Sequence, residues 1–286
     1  MTGGTGFVGG HFIRSAIEHG HDVTALRRVG SRPRIGSDPE PEWLDVSLDC
    51  VSARQLRGFD GLVHFASAGV SPQRASWQDL IQWNVNAPMT LVQEAARAGI
   101  ARIVAAGSSA EYGRSAHRYD AIPADAPLLP VGGYAASKAA LFTCLHGYAV
   151  EMRLELCYLR IFSAYGEGQH EENLWPALRR AAEEDRDFRM TLGEQVRDFI
   201  AVEDVADTFL RALVREDVCP GDPCVCNVGS GQPVTVRAFS ERWWKRWKAR
   251  GRLQIGALPY RPNEVMRFVP QIDSDGSATS MAEGER

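Results

Sequence analysis

The chain lacks any apolar run approaching the ~20 residues that a membrane-crossing helix needs, so no membrane span is expected in its 286 residues. It also lacks a basic stretch followed by an apolar one at its start. Met1-Thr2-Gly3-Gly4 stands there instead, and no secretory leader is read from it. Charge of one sign is missing too: 32 Lys and Arg face 36 Asp and Glu, a net charge of −4. That excludes a global pull toward nucleic acid or an anionic membrane. Any grip on a phosphate must come from local arginines or backbone amides. The six cysteines (Cys50, Cys144, Cys157, Cys219, Cys224 and Cys226) contain no CxxC pair. Cys224 and Cys226, one residue apart, are poorly spaced for zinc. Reduced thiols, no metal site and a cytoplasmic setting are expected.

What is present is alternation of strand and helix. A helical pattern (Phe12, Ile13, Ala16, Ile17) ends near Gly20, and residues 21–26 alternate like a strand. Residues 27–41, rich in Arg, Pro, Gly and Ser, read as a loop. Residues 61–68 (GLVHFASA) and 102–106 are short apolar runs, the mark of strands buried on both faces. Residues 79–98 and 134–153 read as helices, and 154–161 as a strand. Further helices are expected over 173–184, 202–215 and 237–248, the last crowded with Trp243, Trp244 and Trp247. The pattern predicts a Rossmann-like α/β fold, a doubly wound parallel sheet with a smaller C-terminal substrate-binding lobe. The expected division is 1–165 for the dinucleotide domain and 166–272 for an interleaved lobe. A tail over 273–286, polar and poor in apolar residues, is expected to be disordered.

Gly3, Gly6 and Gly9 precede a helical pattern, with Phe7 and Val8 between them. Such spacing permits a tight turn and close backbone approach to a pyrophosphate, with the helix N-terminus aimed at the anion. A dinucleotide fold puts a buried strand ahead of this loop. Only Met1 stands there, so either the start is mis-assigned, the chain is truncated, or the sheet lacks a central strand. The strand that follows the first helix ends in Arg27-Arg28. An acidic residue there would accept from a ribose 2′-hydroxyl; an arginine suits a 2′-phosphate, which favours NADP over NAD.

Tyr134 and Lys138 lie four residues apart, about one turn, so they share a helix face. A phenol of ordinary pKa near ~10 is a poor base at neutral pH, and a neighbouring ammonium favours its ionised form. Ser108, at the end of the strand over 102–106, sits where a parallel sheet presents side chains to a ligand crevice. It could hydrogen-bond a substrate oxygen as that oxygen gains or loses a proton.

Together these segments resemble the extended short-chain dehydrogenase/reductases, the branch of NAD(P)-dependent nucleotide-sugar epimerases, dehydratases and 4-keto reductases. TGGTGFVG resembles TGxxGxxG, LVHFASA resembles VIHLAA, and GSSAEYG resembles S-x-x-x-Y-G. YAASK supplies Tyr134 and Lys138; LRIFSAYGEGQ, VRDFIAVEDVA and CNVGSG follow in family order, over about residues 2–265. The resemblance implies Ser108, Tyr134 and Lys138 as catalytic residues. It implies a cofactor site from Gly3, Gly6, Phe7, Val8, Gly9, Arg27, Arg28, Asp45, Val46, Ala66, Ala68, Asn84 and Lys138. Ser109, Ser163, Arg197 and Arg261 would meet the substrate, with Asp198 and Asp204 organising the Arg197 segment. The implied reaction is hydride transfer at a sugar carbon, most plausibly C4, by an epimerase or a 4-keto reductase in a homodimer. A non-catalytic dinucleotide binder, a 4,6-dehydratase and a reductase of non-sugar carbonyls are the alternatives. Dehydratases of this family carry an acidic pair directly after the catalytic Ser/Thr; Ser109 and Ala110 stand here. Glu111 is one step further, where strand alternation would turn it away. The family's final helix and its Gly-Trp-x-Pro pattern are missing from the tail.

Overall fold

The computed structural model describes residues 1–70, 72–261 and 264–272. The tail expected to be disordered lies outside them. In chain order the elements are α1 (Phe7–Glu18), β1 (Thr24–Arg27), β2 (Glu42–Asp45), β3 (Gly61–His64), α2 (Trp77–Ile81), α3 (Ala87–Arg97), β4 (Arg102–Ser108) and α4 (Gly133–Met152). There follow β5 (Glu155–Ile161), β6 (Ser163–Tyr165), α5 (Leu174–Glu183), β7 (Phe188–Arg189), β8 (Val196–Ala201) and α6 (Val202–Val214). The last are β9 (Cys224–Val228), β10 (Pro233–Thr235), α7 (Val236–Arg246), β11 (Leu253–Gln254) and β12 (Arg267–Phe268).

The main sheet is parallel throughout. β1 pairs with β2, and β3, β4, β5 and β9 follow one another in that order. Helices cover both faces, the Rossmann-like arrangement expected. β4 shows the physical reason for its apolar sequence. Ile103 and Ala105 face one core with Leu91, Leu141 and Leu156. Val104 and Ala106 face the other with Phe12, Val205 and Phe209. Both faces are buried, so every position must be apolar.

The gap expected between β1 and β3 is bridged. Thr2 forms parallel bridges to Leu26 on one side and His64 on the other. Thr2 N donates to Val63 O, Phe65 N donates to Thr2 O, and Leu26 N donates to Met1 O. Two residues thus do the pairing work of a strand at the end of the sheet where the glycine loop begins. Thr2 is buried, and its Oγ1 lies 2.8 Å from His64 Nδ1.

Three sequence boundaries shift. The strand expected from residue 21 begins at Thr24. The strand read over 61–68 ends at His64, freeing Phe65 to Ala68 from the sheet. The helix read over 79–98 is interrupted by a wide π turn at Gln82–Asn86, after which α3 restarts with Pro88 in its first turn. A proline needs no N–H partner there.

Beyond β5 the chain builds a smaller layer. β8 pairs with β6 along one part and with β10 and β12 along another. Tyr165, Trp175, Phe239, Trp243 and Trp247 pack ring against ring beside it. α6 and β9, although late in sequence, return to the parallel sheet.

Candidate active site

The carboxyl ends of the parallel strands open into a single cleft of about 1140 Å3. Its wall takes Leu26 and Arg27 from β1 with Arg28 beyond it, Val46 after β2, Phe65 to Ala68 after β3, Ala106 to Ser108 from β4, Ile161 at the end of β5 with Phe162 after it, and Ser163 from β6. This is where an open α/β sheet binds ligands.

The glycine loop forms one side. Gly3 has φ +73°, and a Cβ there would lie 2.7 Å from Ala66 N. A Cβ on Gly9 would lie 2.2 Å from Gly3 O. Neither position can carry a side chain without moving backbone. Gly6 precedes α1 and gives its first turn no side-chain cap. The first-turn amides therefore have no partner within the helix, and Gly6, Phe7, Val8 and Gly9 all line the cleft. Such a cradle fits a pyrophosphate.

The cleft is basic although the chain is acidic. Arg27, Arg28, Arg32, Arg34, Arg74 and Lys138 line it, against Asp79 as the one carboxylate among the described residues. Arg27 is engaged: its Nε donates to Asp45 Oδ1 at 2.7 Å, and its guanidinium lies 4.9 Å from the Trp43 ring. Asp45 thus holds Arg27 and is not itself in the cleft wall. Arg28 and Arg32 are exposed.

Tyr134 and Lys138 project from the first turns of α4 into the same cleft as Ser108. Burial pushes the Tyr134 phenol above its ordinary value, and the neighbouring Ser108 and Ser67 hydroxyls oppose the rise. Lys138 Nζ donates to Ala106 O at 2.6 Å. Burial lowers its pKa to about 8, and Glu111 opposes that. Burial is thus the largest influence on the phenol, and the Lys138 ammonium is turned to a backbone carbonyl.

Glu111 is fully buried. Ser109–Tyr112 form a 3-10 turn rather than continued strand, and Glu111 folds back to accept from Ser108 N at 2.7 Å. It also accepts from Tyr158 Oη at 2.9 Å and from Arg160 Nε at 2.8 Å. The carboxylate points away from the cleft, as expected, but through a capping turn and not through strand alternation.

Asn84, Ser109, Arg197 and Arg261 are not brought to the cleft wall. Asn84 sits behind it. Its Oδ1 accepts from Ala68 N at 2.7 Å, and its Nδ2 donates to Ser137 Oγ at 2.9 Å, tying the Ala68 loop to α4. Arg197 Nη2 donates to Glu264 Oε1 at 2.8 Å. Arg261 is exposed. Asp198, fully buried, accepts from Ser230 N and Gly231 N and so organises that segment. Ser163 does line the cleft. Sequence reasoning missed Ser67, Arg32 and the aromatic end of the cleft at Tyr165, Trp175 and Phe199. Ser67, Tyr165 and Phe199 lay inside recognised motifs; Arg32 and Trp175 carry no local signal.

A family model described as the NAD dependent epimerase/dehydratase family matches residues 1–229. A UDP-glucose 4-epimerase of Corynebacterium glutamicum is 29% identical over 265 residues, covering 84% of this chain and 78% of its own. A CDP-abequose synthase of Salmonella muenchen is 27% identical, covering 93% and 86%. The solved structure of MoeE5 in complex with UDP-glucuronic acid and NAD has a TM-score of 0.81 at 25% identity, covering 95% of this chain and 88% of its own.

Proposed function

Since the chain belongs to the NAD dependent epimerase/dehydratase family, we propose that it transfers a hydride at C4 of a nucleotide-linked sugar. The observation that carries this reading is the convergence of Ser108, Tyr134 and Lys138 on the cleft that holds the glycine cradle. Relatives named UDP-glucose 4-epimerase support C4 as the reacting carbon.

Gly3, Gly6 and Gly9 would hold the pyrophosphate of the coenzyme. Ala66, Ala68 and Val46 would line its rings and riboses. Bound NAD or NADP supplies the hydride acceptor or donor. Tyr134 passes a proton to or from the C4 oxygen, and Ser108 orients that oxygen by hydrogen bonding. Lys138 holds a ribose and sets the charge near the phenol. The lobe over 166–272 takes the nucleotide, with its diphosphate drawn by the basic cleft. The exposed faces of α3 and α4 are where a homodimer would form, in the cytoplasmic setting expected from the sequence. Elimination of water is disfavoured, because Glu111 is tied to Arg160 and turned from the substrate.

One observation favours net reduction of a 4-keto sugar over epimerisation: Arg28 and Arg32 line the cleft, where they suit a 2′-phosphate and hence NADPH.

The test is turnover of UDP-glucose, UDP-galactose and 4-keto nucleotide-sugars with NAD or NADPH. An epimerase converts the sugar without net change in coenzyme absorbance at 340 nm. A reductase consumes NADPH mole for mole. No turnover of either kind, with coenzyme bound, would leave the chain a non-catalytic binder. Turnover insensitive to free nucleoside diphosphates would point to a non-sugar carbonyl.

A further inference from the structure

Remote from the cleft, β9 carries Cys224 and Cys226 on one face. Their sulfurs are 3.4 Å apart. Both residues are half-buried, on the last strand of the main sheet. Arg215 Nη1 reaches Cys224 Sγ at 3.5 Å. The register sets Cys157 of β5 beside Cys224. Neither thiol lines the cleft, and the proposed reaction gives neither a task.

We propose that Cys224 and Cys226 form a peroxide-oxidisable pair, with Cys224 the attacking thiol and Cys226 the resolving one. The Cys224 thiolate attacks one peroxide oxygen. An S–O bond forms, the O–O bond breaks, and hydroxide leaves, to be protonated to water. Cys226 then attacks the sulfenic sulfur. An S–S bond forms, the S–O bond breaks, and a second water leaves. Two thiols are oxidised and one hydroperoxide is reduced to two waters.

The sulfurs already lie 3.4 Å apart. Closing the bond to ~2.05 Å draws together Cβ atoms that stand ~6.6 Å apart on one face of a regular strand, toward the ~4.5 Å a disulfide spans, so the strand must bend locally as the bond forms. The surroundings choose the nucleophile. Hydrogen bonds with Cys157 and Cys226, and then Arg215, push the Cys224 thiol well below its ordinary pKa; burial and Asp217, which shares Arg215, oppose this. Cys157 is shifted the other way by Cys224 and by burial, while Arg102 and Arg215 pull it back. Cys157 is fully buried, so an incoming oxidant meets Cys224 first. Cys50, Cys144 and Cys219 are exposed and serve as internal controls.

The experiment treats the full chain with hydrogen peroxide at pH 7, alkylates what remains, and maps the peptides by mass spectrometry. The expected result is loss of two hydrogens within the peptide holding both Cys224 and Cys226, reversed by dithiothreitol. Cys50, Cys144 and Cys219 should stay alkylatable at a peroxide dose that converts the pair. Cys226→Ser should stop at a dimedone-reactive Cys224, and Cys224→Ser should slow oxidation of this peptide by about tenfold or more. Thermal melting of both variants confirms that they are folded. Oxidation of Cys224 no faster than Cys144, or a disulfide joining Cys224 to Cys157, overturns the assignment.

Discussion

Tyr134 is the residue on which the proposed chemistry turns, because its phenol lines the same cleft as Ser108. Tyr134→Phe removes the exchangeable proton and leaves the ring. A fall in kcat of about 10²–10⁴-fold is expected, with coenzyme affinity changed less than about threefold, as read by steady-state kinetics and fluorescence titration. In the proposed reading, Arg28 and Arg32, which line the cleft, would decide between the two coenzymes. Charge-assisted bonds contribute about 1.5–3 kcal/mol. The double variant Arg28→Glu, Arg32→Glu should therefore weaken NADPH binding by at least ~10-fold and leave NADH nearly untouched. Equal loss for both coenzymes would remove the case for a 2′-phosphate site. The sequence marked Tyr134, Lys138 and Ser108 by spacing alone. It did not disclose that Lys138 would spend its ammonium on Ala106 O, since that carbonyl belongs to another strand.

At the level of elements, the loop from Thr2 to Gly9 depends on backbone meeting backbone. Gly9→Ala sets a methyl carbon where Gly3 O already sits. It should abolish measurable coenzyme binding by calorimetry, while a substitution at solvent-facing Gly20 would not. The turn after β4 depends instead on a buried ion pair. Glu111 and Arg160 are 0% and 1% exposed and joined at 2.8 Å. Removing one partner strands the other charge, a loss of about 3–5 kcal/mol. Glu111→Ala should lower the melting temperature sharply, and Glu111→Ala combined with Arg160→Met should recover part of that loss. Full additivity in the melts would mean the pair is not coupled. Glu111 was visible in the sequence, but its direction was misjudged in cause. Strand alternation cannot anticipate a capping turn, because the turn is chosen by the Ser108 amide that Glu111 satisfies.

Across the whole molecule, His64 links the glycine loop to the centre of the sheet through Thr2. Burial, aided by Lys138, lowers its pKa from 6.5 to about 3. The unfolded chain therefore binds a proton below pH 6.5 that the folded chain refuses until about pH 3. Stability from this group is complete above pH 6.5 and falls by several kcal/mol as pH drops through that window. His64→Gln should flatten the melting temperature between pH 6.5 and 4; an unchanged slope would assign acid lability to other groups. The sequence by itself determined the alternating fold, the glycine cradle and the tyrosine-lysine spacing. Each is a local pattern, written in periods of two and four residues or in the conformational freedom of glycine. Tertiary structure alone decided which side chains share the cleft, that six cations gather there in an acidic chain, that Asn84 and Asp45 support neighbours behind the wall, and that three thiols meet between two strands. Apart from the two cysteines of one strand, those contacts join residues 16 or more positions apart, and their energies depend on distance and burial that no linear pattern encodes.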